Sequence, residues 1–205
     1  MVDEALPPGV RHMPLFLDAG AQRDLVEAIG DVCRQAPLFT PVMPRTGRPF
    51  SVRMTNCGPL GWVSDRQGYR YQPLHPQTGK PWPAMPAMLL DLWNDLSGFP
   101  APPEACLVNW YGEGARMGLH QDRDEAELSA PVLSVSLGDD ARFRIGGRER
   151  KGPAASLRLR SGDVLMFGGE SRLAYHGIDR LYPGTSTLLA GGGRINLTLR
   201  RVHPA

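Results

Sequence analysis

Leu119-His120-Gln121-Asp122 stands between two strand-like runs, Leu107-Val108-Asn109-Trp110-Tyr111 before it and Val132-Leu133-Ser134-Val135-Ser136-Leu137 after it. In an extended segment, residues two apart project to one face. A ring nitrogen of His120 and an oxygen of Asp122 can therefore meet at one point. A third donor from a distant strand would complete a set of two histidines and one carboxylate on one face of a metal. Such a set leaves three positions of an octahedral iron open for a co-substrate and oxygen. The best candidate for the third donor is His176, in Leu173-Ala174-Tyr175-His176-Gly177.

A His-x-Asp pair alone also fits a solvated strand edge, so the surrounding sequence has to decide. Downstream, Arg194-Ile195-Asn196-Leu197-Thr198-Leu199-Arg200 alternates polar and apolar residues as a strand does. Arg194, Asn196, Thr198 and Arg200 share one face. Two arginines on an inward face are costly to bury unless they meet anions. A dicarboxylate such as 2-oxoglutarate would supply them, because guanidinium binds carboxylate through two parallel hydrogen bonds.

Taken together, Asn109-x-Tyr111, His120-x-Asp122, His176 and Arg194-x-Asn196-x-x-x-Arg200 resemble the AlkB family of Fe(II)/2-oxoglutarate dioxygenases, its bacterial members above all. The resemblance takes in Met54-Thr55-Asn56-Cys57-Gly58, Arg66-Gln67-Gly68-Tyr69, the run from Lys80 to Pro86, and Gly168-Gly169-Glu170-Ser171-Arg172. It runs from the first predicted helix to Arg200. It implies a double-stranded β-helix (jelly roll) with flanking helices and an N-terminal nucleotide-recognition lid. It also implies Fe(II) held by His120, Asp122 and His176, with 2-oxoglutarate and O2 as co-substrates. Asn109, Tyr111, Arg194, Asn196 and Arg200 match the positions that hold 2-oxoglutarate. Arg194 is assigned to its distal carboxylate, and Arg200 either braces Asp122 or meets the near carboxylate. The implied reaction is oxidative demethylation of N1-methyladenine and N3-methylcytosine in single- or double-stranded DNA, with RNA as a further candidate. The alternative is the same chemistry on methylated tRNA or protein.

The composition fits that frame without proving it. The 205 residues suggest one domain, with an N-terminal extension and lid over 1–104 and a catalytic core over 105–205. Hydrophobic content of 41% and charged content of 21% belong to a soluble globular chain. A net charge of +2 is too small to argue for nucleic acid by itself. Cys33, Cys57 and Cys106 are odd in number and widely spaced, which supports neither a disulfide framework nor a zinc finger. With no signal peptide and no membrane-length apolar run, the expectation is a cytoplasmic monomer with reduced thiols.

In the N-terminal third, residues 1–14 read as an irregular arm. Asp18 is a helix N-cap, and Leu25, Val26, Ile29, Val32 and Cys33 keep helical spacing to about Gln35, before Pro37. Ser51 to Asn56 reads as a strand. Cys57 to Pro83 is a long stretch rich in glycine, proline and aromatics, and loops of this length usually cover a site or are disordered. Its rings fit either a small satellite core or a lid that stacks on a flat substrate. By the resemblance, Trp62, Tyr69 and Tyr71, with Met54 nearby, touch substrate, and Trp82 is structural. Met88, Leu89, Leu92, Trp93 and Leu96 mark a second helix over Ala87–Ser97.

Beyond it, short strands are expected at about 105–111, 131–137, 141–146, 156–160, 163–167, 172–178 and 194–202, with 112–118 a turn-rich approach to His120. Asp124 and Glu125 fit a solvated loop, but Asp124 matches a family position beside the base, where a carboxylate favours cationic methylated bases. Arg150 matches another substrate-side position and equally fits a solvated hairpin tip. Phe167 stands where the family often has tryptophan, keeping an aromatic wall and losing an indole donor. His12, His75 and His203 lack a partner motif and read as structural.

Overall fold

A computed structural model describes residues 6–205. The first helix, α1 (Ala19–Gln35), opens where the Asp18 carboxylate accepts from the Ala21 N–H at 2.8 Å. It ends at Ala36 because a residue before proline is pushed out of helical geometry. The second, α2 (Ala87–Leu96), stops before Gly98, which takes the left-handed φ of +64°. Leu25, Ile29 and Val32 of α1 and Leu89, Leu92 and Trp93 of α2 are buried.

Two antiparallel sheets face each other. The major sheet has the order β1 (Val10–Met13), β10 (Val164–Phe167), β7 (Val132–Gly138), β12 (Arg194–Arg200), β5 (Ala105–Tyr111), β2 (Arg53–Cys57). The minor sheet runs β6 (Met117–His120), β11 (His176–Tyr182), β8 (Asp140–Gly146), β9 (Ala154–Leu159). A separate hairpin pairs β3 (Gly61–Asp65) with β4 (Gly68–Gln72). This is the expected mainly-β jelly roll with helices on one flank. Strands β1 and β2, from the N-terminal third, form the two edges of the major sheet.

Alternation along the central strands sorts the core into two layers. Leu133, Val135, Leu137, Val108, Leu197 and Leu199 turn outward and meet both helices. The opposite face looks toward the minor sheet. At its β1–β10–β7 side it is apolar, with Val132, Leu165 and Phe167 packed against Phe143, Ile145 and Ile178. Around β5 and β12 it is polar, carrying Asn109, Tyr111, Arg194, Asn196, Thr198 and Arg200. A polar patch in the middle of a two-sheet core marks a site, because polar groups are not buried without partners.

Four local expectations are corrected. Residues 10–13 are an edge strand rather than part of an irregular arm; four residues are too few to show a period. The 112–118 approach already contains the start of β6, at Met117. The strand expected over 172–178 begins only at His176 and runs to Tyr182, because Gly169–Ser171 is a 3₁₀ turn. The long stretch from Cys57 to Pro83 contains the β3–β4 hairpin. Its turn is set by the Asp65 carboxylate accepting from the Gln67 N–H at 2.8 Å and by Gly68 at φ +120°. No helix among the described residues is long and apolar enough to cross a membrane.

Candidate metal centre and its lid

His120 ends β6 and His176 begins β11, and the two are direct cross-strand partners with ring centroids 4.5 Å apart. Each ring is oriented the same way. His120 Nδ1 lies 2.9 Å from the Gly118 carbonyl, and His176 Nδ1 lies 2.9 Å from the Ala174 carbonyl. A carbonyl accepts, so each Nδ1 carries the proton and each Nε2 keeps its lone pair for a metal. Asp122 lies two residues past the end of β6. Its two oxygens stand 3.6 Å from His120 Nε2 and 3.6 Å from His176 Nε2. One donor atom from each residue falls within 4.8 Å of the others, so this group can hold a single metal ion. The close approach of β6 and β11 depends on Gly177: a Cβ there would lie 2.4 Å from the Met117 carbonyl oxygen.

Charge makes the cluster ready for a cation. Burial pushes His176 down to about 4, against the pull of Asp122, so its imidazole is neutral near pH 7. Burial pushes the Asp122 carboxyl up, but Arg200, the two histidines and Arg172 outweigh it and hold it at about 2. Arg200 Nη2 is 2.7 Å from Asp122 Oδ2, yet that oxygen accepts no well-aligned hydrogen bond. It is an oriented carboxylate with spare acceptor capacity.

Glu125 is the residue the sequence reading missed. It is 4% exposed, not solvated. Its Oε1 meets Arg200 Nη1 at 3.0 Å and accepts from the Tyr71 hydroxyl, while Oε2 lies 3.2 Å from Arg172 Nη2. Arg172, also buried, donates to the Asp122 carbonyl at 2.7 Å and the Ala130 carbonyl at 2.8 Å. Asp122 is thus gripped by Arg200 at its carboxylate and by Arg172 at its backbone. The sequence did carry a signal. A buried arginine at position 200 needs more than one acceptor, and Glu125 is near enough in sequence to Asp122 to provide it.

The other half of the pocket is built on β5 and β12. Tyr111 pairs directly with Arg194, and Asn109 with Asn196. Arg194 is fully buried; Nη2 donates to Ser136 Oγ at 2.7 Å and Nη1 to the Asp139 carbonyl at 3.3 Å. Among the described residues no carboxylate lies within ion-pair distance of it, and Nε is unpartnered, as is Asn109 Oδ1. Burial pushes its pKa down to about 10 and that of Tyr111 up to about 12. A guanidinium in this position lacks an anion. Asn196 shares the face, but its amide is engaged: Nδ2 donates to Ser134 Oγ at 2.7 Å and Oδ1 accepts from Thr198 at 2.9 Å. Phe167 walls the cluster, its ring centroid 4.7 Å from that of His176.

The β3–β4 hairpin is tied, through Asp124 and Glu125, to the segment that carries Asp122. Trp62 stacks on Tyr69 at 5.6 Å and 16°, and its Nε1 donates to Asp124 at 2.8 Å. Tyr69 is 51% exposed, so one face of an aromatic platform is open. Tyr71, on the same hairpin, ties it to the Arg200–Glu125 network. Met54 departs from the expectation: at 1% exposure it is locked in a satellite core with Phe39, Val63 and Trp82 and offers no surface to a ligand. Its direct partner in β5 is Asn109, so it flanks Asn109 on the same face of the sheet, under the satellite core. Trp82 is structural, donating to the Gln72 carbonyl at 2.8 Å. Arg150 stands exposed in the β8–β9 connection. His12, His75 and His203 are satisfied by Asp163, Pro37 and Glu104.

The sequence profile of the 2OG-Fe(II) oxygenase superfamily matches residues 9–200. The alpha-ketoglutarate-dependent dioxygenase AlkB homolog of Caulobacter vibrioides is 59% identical over 198 residues, covering 97% of this chain and 90% of that protein. The alpha-ketoglutarate-dependent dioxygenase AlkB of Escherichia coli is 49% identical over 185 residues, covering 88% and 85%. The solved structure of OsALKBH1 superposes with a TM-score of 0.81 at 31% identity, covering 97% of this chain and all of that one.

Proposed function

The chain belongs to the AlkB family of the 2OG-Fe(II) oxygenase superfamily, and from that premise we propose that it demethylates alkylated nucleobases oxidatively in DNA, and in RNA as a second substrate. The fully buried Arg194, with no carboxylate of the described residues within ion-pair distance, carries the co-substrate half of the proposal, and the Trp62–Tyr69 stack beside Asp124 carries the base half. Arg194 waits for the anion of a dicarboxylate beside a three-donor metal cluster.

His120 Nε2, His176 Nε2 and an Asp122 oxygen would hold the iron, and Arg194, Tyr111 and Asn109 would hold 2-oxoglutarate. Fe(II), 2-oxoglutarate and O2, when bound, supply the oxidation: one oxygen atom converts an N-methyl group to an unstable N-hydroxymethyl, lost as formaldehyde, and the other goes to 2-oxoglutarate, which leaves as succinate and carbon dioxide. The protein's own part is positioning and the exclusion of water. Arg200 and Arg172 hold Asp122 in the orientation that the two imidazoles require. Phe167 and Phe143 keep the His176 side dry. Trp62 and Tyr69 present a flat surface for a base that has left its stack, which favours damaged or single-stranded substrates. Asp124, beside Trp62, would favour the cationic rings of N1-methyladenine and N3-methylcytosine over undamaged bases. Arg150 would approach the flanking phosphate. We expect the protein to work as a cytoplasmic monomer.

The test is anaerobically prepared Fe(II) protein mixed with 2-oxoglutarate, air and single-stranded DNA or RNA carrying one N1-methyladenine, followed by mass spectrometry. A 2-oxoglutarate-dependent loss of one methylene mass is expected, absent in His120→Ala protein that still folds. Succinate formation with both oligonucleotides unchanged would reject N1-methyladenine in DNA and short RNA as substrate and favour the second reading, the same chemistry on methylated tRNA or protein.

A further inference from the structure

The outer face of the minor sheet carries an arrangement that neither the metal cluster nor the lid uses. Arg180 of β11 pairs directly with Arg142 of β8, and Arg142 pairs directly with Arg158 of β9. Three arginines therefore stand side by side at one register level on three adjacent strands, and all three are exposed. Like charges opposite one another in a sheet are destabilising. Such a row persists only if something offsets it.

The offset is partial. Asp179 takes Arg142 through Nε at 2.7 Å, and Asp140 takes Arg158 through Nε at 2.8 Å. Tyr182 lies under both Arg158 and Arg180, at 4.6 and 5.4 Å from their guanidinium carbons. Both ion pairs use the inner nitrogen, and no side chain of the described residues accepts a hydrogen bond from the outward forks. Arg144 lies next along β8 and Arg160 just past β9, extending the same face. Five arginines against two aspartates is a surplus of three, more than the +2 of the whole chain. Neither helix covers this face, since both pack on the major sheet.

The row has a direction. The end of β8 nearest His176 leads into the Arg148-Glu149-Arg150-Lys151 connection, and Arg144, the three-arginine row and Arg160 follow away from it. Shallow recesses of 290 and 470 Å³ open along the face, the first between Arg116 and Arg144, the second beside Arg158 and Arg160. Arg180 lies four residues along β11 from His176, about 13 Å of strand, and on the opposite face of the sheet. A strand must therefore run several nucleotides beyond the lesion, around the sheet, to reach the row.

Resting on the nucleic-acid reading above, we propose that the outer face of the minor sheet is a second binding site for the phosphodiester backbone of the lesion-bearing strand. Phosphate is the matching chemistry. Arginine forks bind it in pairs, and the contacts need no base sequence. The site acts on affinity for long substrates and not on the reaction at the base.

The experiment compares the parent with Arg142→Gln/Arg158→Gln/Arg180→Gln, and separately with Arg144→Gln/Arg160→Gln. Fluorescence anisotropy measures Kd for single-stranded DNA and RNA of about twenty nucleotides across a salt series, and turnover is followed on a lesion-bearing trinucleotide and on the long strand. The row variant should bind the long strand on the order of tenfold more weakly, with the slope of log K against log salt shallower by about 2 for three lost phosphate contacts. KM on the long strand should rise with kcat unchanged, and the trinucleotide should be handled as by the parent. The second variant should show the same pattern, shallower by about one unit or more. Unchanged affinity and salt slope in folded variants would overturn the proposal, as would a loss seen only on anionic vesicles. If the parent fails on every lesion yet the row variant loses long-strand binding, the demethylation reading fails and the binding face stands.

Discussion

Replacing Glu125 by glutamine would remove one charge from a balanced, buried set and leave its shape intact. Two carboxylates, Asp122 and Glu125, face two guanidiniums, Arg172 and Arg200, and all four residues are buried. Glutamine keeps one acceptor but turns an amide N–H₂ toward one of the two arginines or the Tyr71 hydroxyl, so one buried cation loses its partner. Breaking one side of a buried pair costs about 3–5 kcal/mol, because an uncompensated charge remains. For a chain of this length each kcal/mol moves the midpoint by about 2–4 °C, so Tm should fall by roughly 6–20 °C. Urea unfolding of the metal-free protein at pH 7, with calorimetry beside it, reads both quantities. Glu27→Gln is the control, since Glu27 is exposed on α1 and should leave the midpoint unchanged. Sign adds a second check. The Glu125 carboxyl is pushed up by burial but held below its ordinary 4.5 chiefly by Arg200. Its contribution is therefore present above pH 4.5 and lost as pH falls through the folded value. The gap between parent and variant should narrow in acid. A loss under about 1 kcal/mol, or a gap that widens in acid, would refute the view that Glu125 neutralises buried arginines.

Three other outcomes follow from the same geometry. Gly177→Ala should push β6 off β11, since its Cβ would sit 2.4 Å from the Met117 carbonyl oxygen; a stability loss of about 1–3 kcal/mol and Fe(II) binding at least about tenfold weaker are expected by unfolding and metal titration. Gly118→Ala, which meets nothing within 4 Å, should leave both near the parent values. The metal-free protein should lose stability as pH falls from 6.5 through about 4: His176 is pushed down by burial, the unfolded chain takes the proton first, and the loss at pH 4.5 is about 2–3 kcal/mol by urea unfolding. Tyr69→Ala should raise KM for a methylated oligonucleotide by roughly 5- to 150-fold, the equivalent of losing about 1–3 kcal/mol of stacking, with little effect on Tm because Tyr69 is 51% exposed.

Much of the site was legible because its residues occur at spacings that strands impose. Arg194-x-Asn196-x-x-x-Arg200 is a pattern of period two, which an extended chain converts into a shared face; His120-x-Asp122 has the same spacing, but β6 ends at His120 and Asp122 is brought to the cluster by Arg200 and Arg172. The helices were legible through their caps and apolar stripes. What the sequence hid were pairings between distant segments. Val10–Met13 is a strand only because β10 offers it a ladder. Glu125 reads as one more acid in Asp122-Arg123-Asp124-Glu125 until Arg172 and Arg200 are seen to converge on it. Met54 shows the reverse error: its likeness to a substrate-side position says nothing of the Phe39 and Trp82 rings that enclose it. The arginine row was invisible for the same reason. Arg142, Arg158 and Arg180 are scattered in sequence, and only the register of three strands lines them up.

Strand β12 follows every other described strand in sequence, yet it lies between β7 and β5 in the middle of the major sheet. During synthesis, β5 and β7 leave the ribosome with the edges meant for β12 unpaired. At about 5–20 residues per second, the interval from Gly138 to Arg200 lasts roughly 3–12 s. Until it ends, Asp122 has no Arg200 to hold it and the pocket lacks the buried Arg194 proposed to hold a dicarboxylate. A nascent chain therefore passes through a period with two open sheet edges and no means of assembling an oxidising centre. The arginines that complete the site arrive with the strand that closes the sheet, so competence to bind iron and co-substrate is tied to the completion of folding.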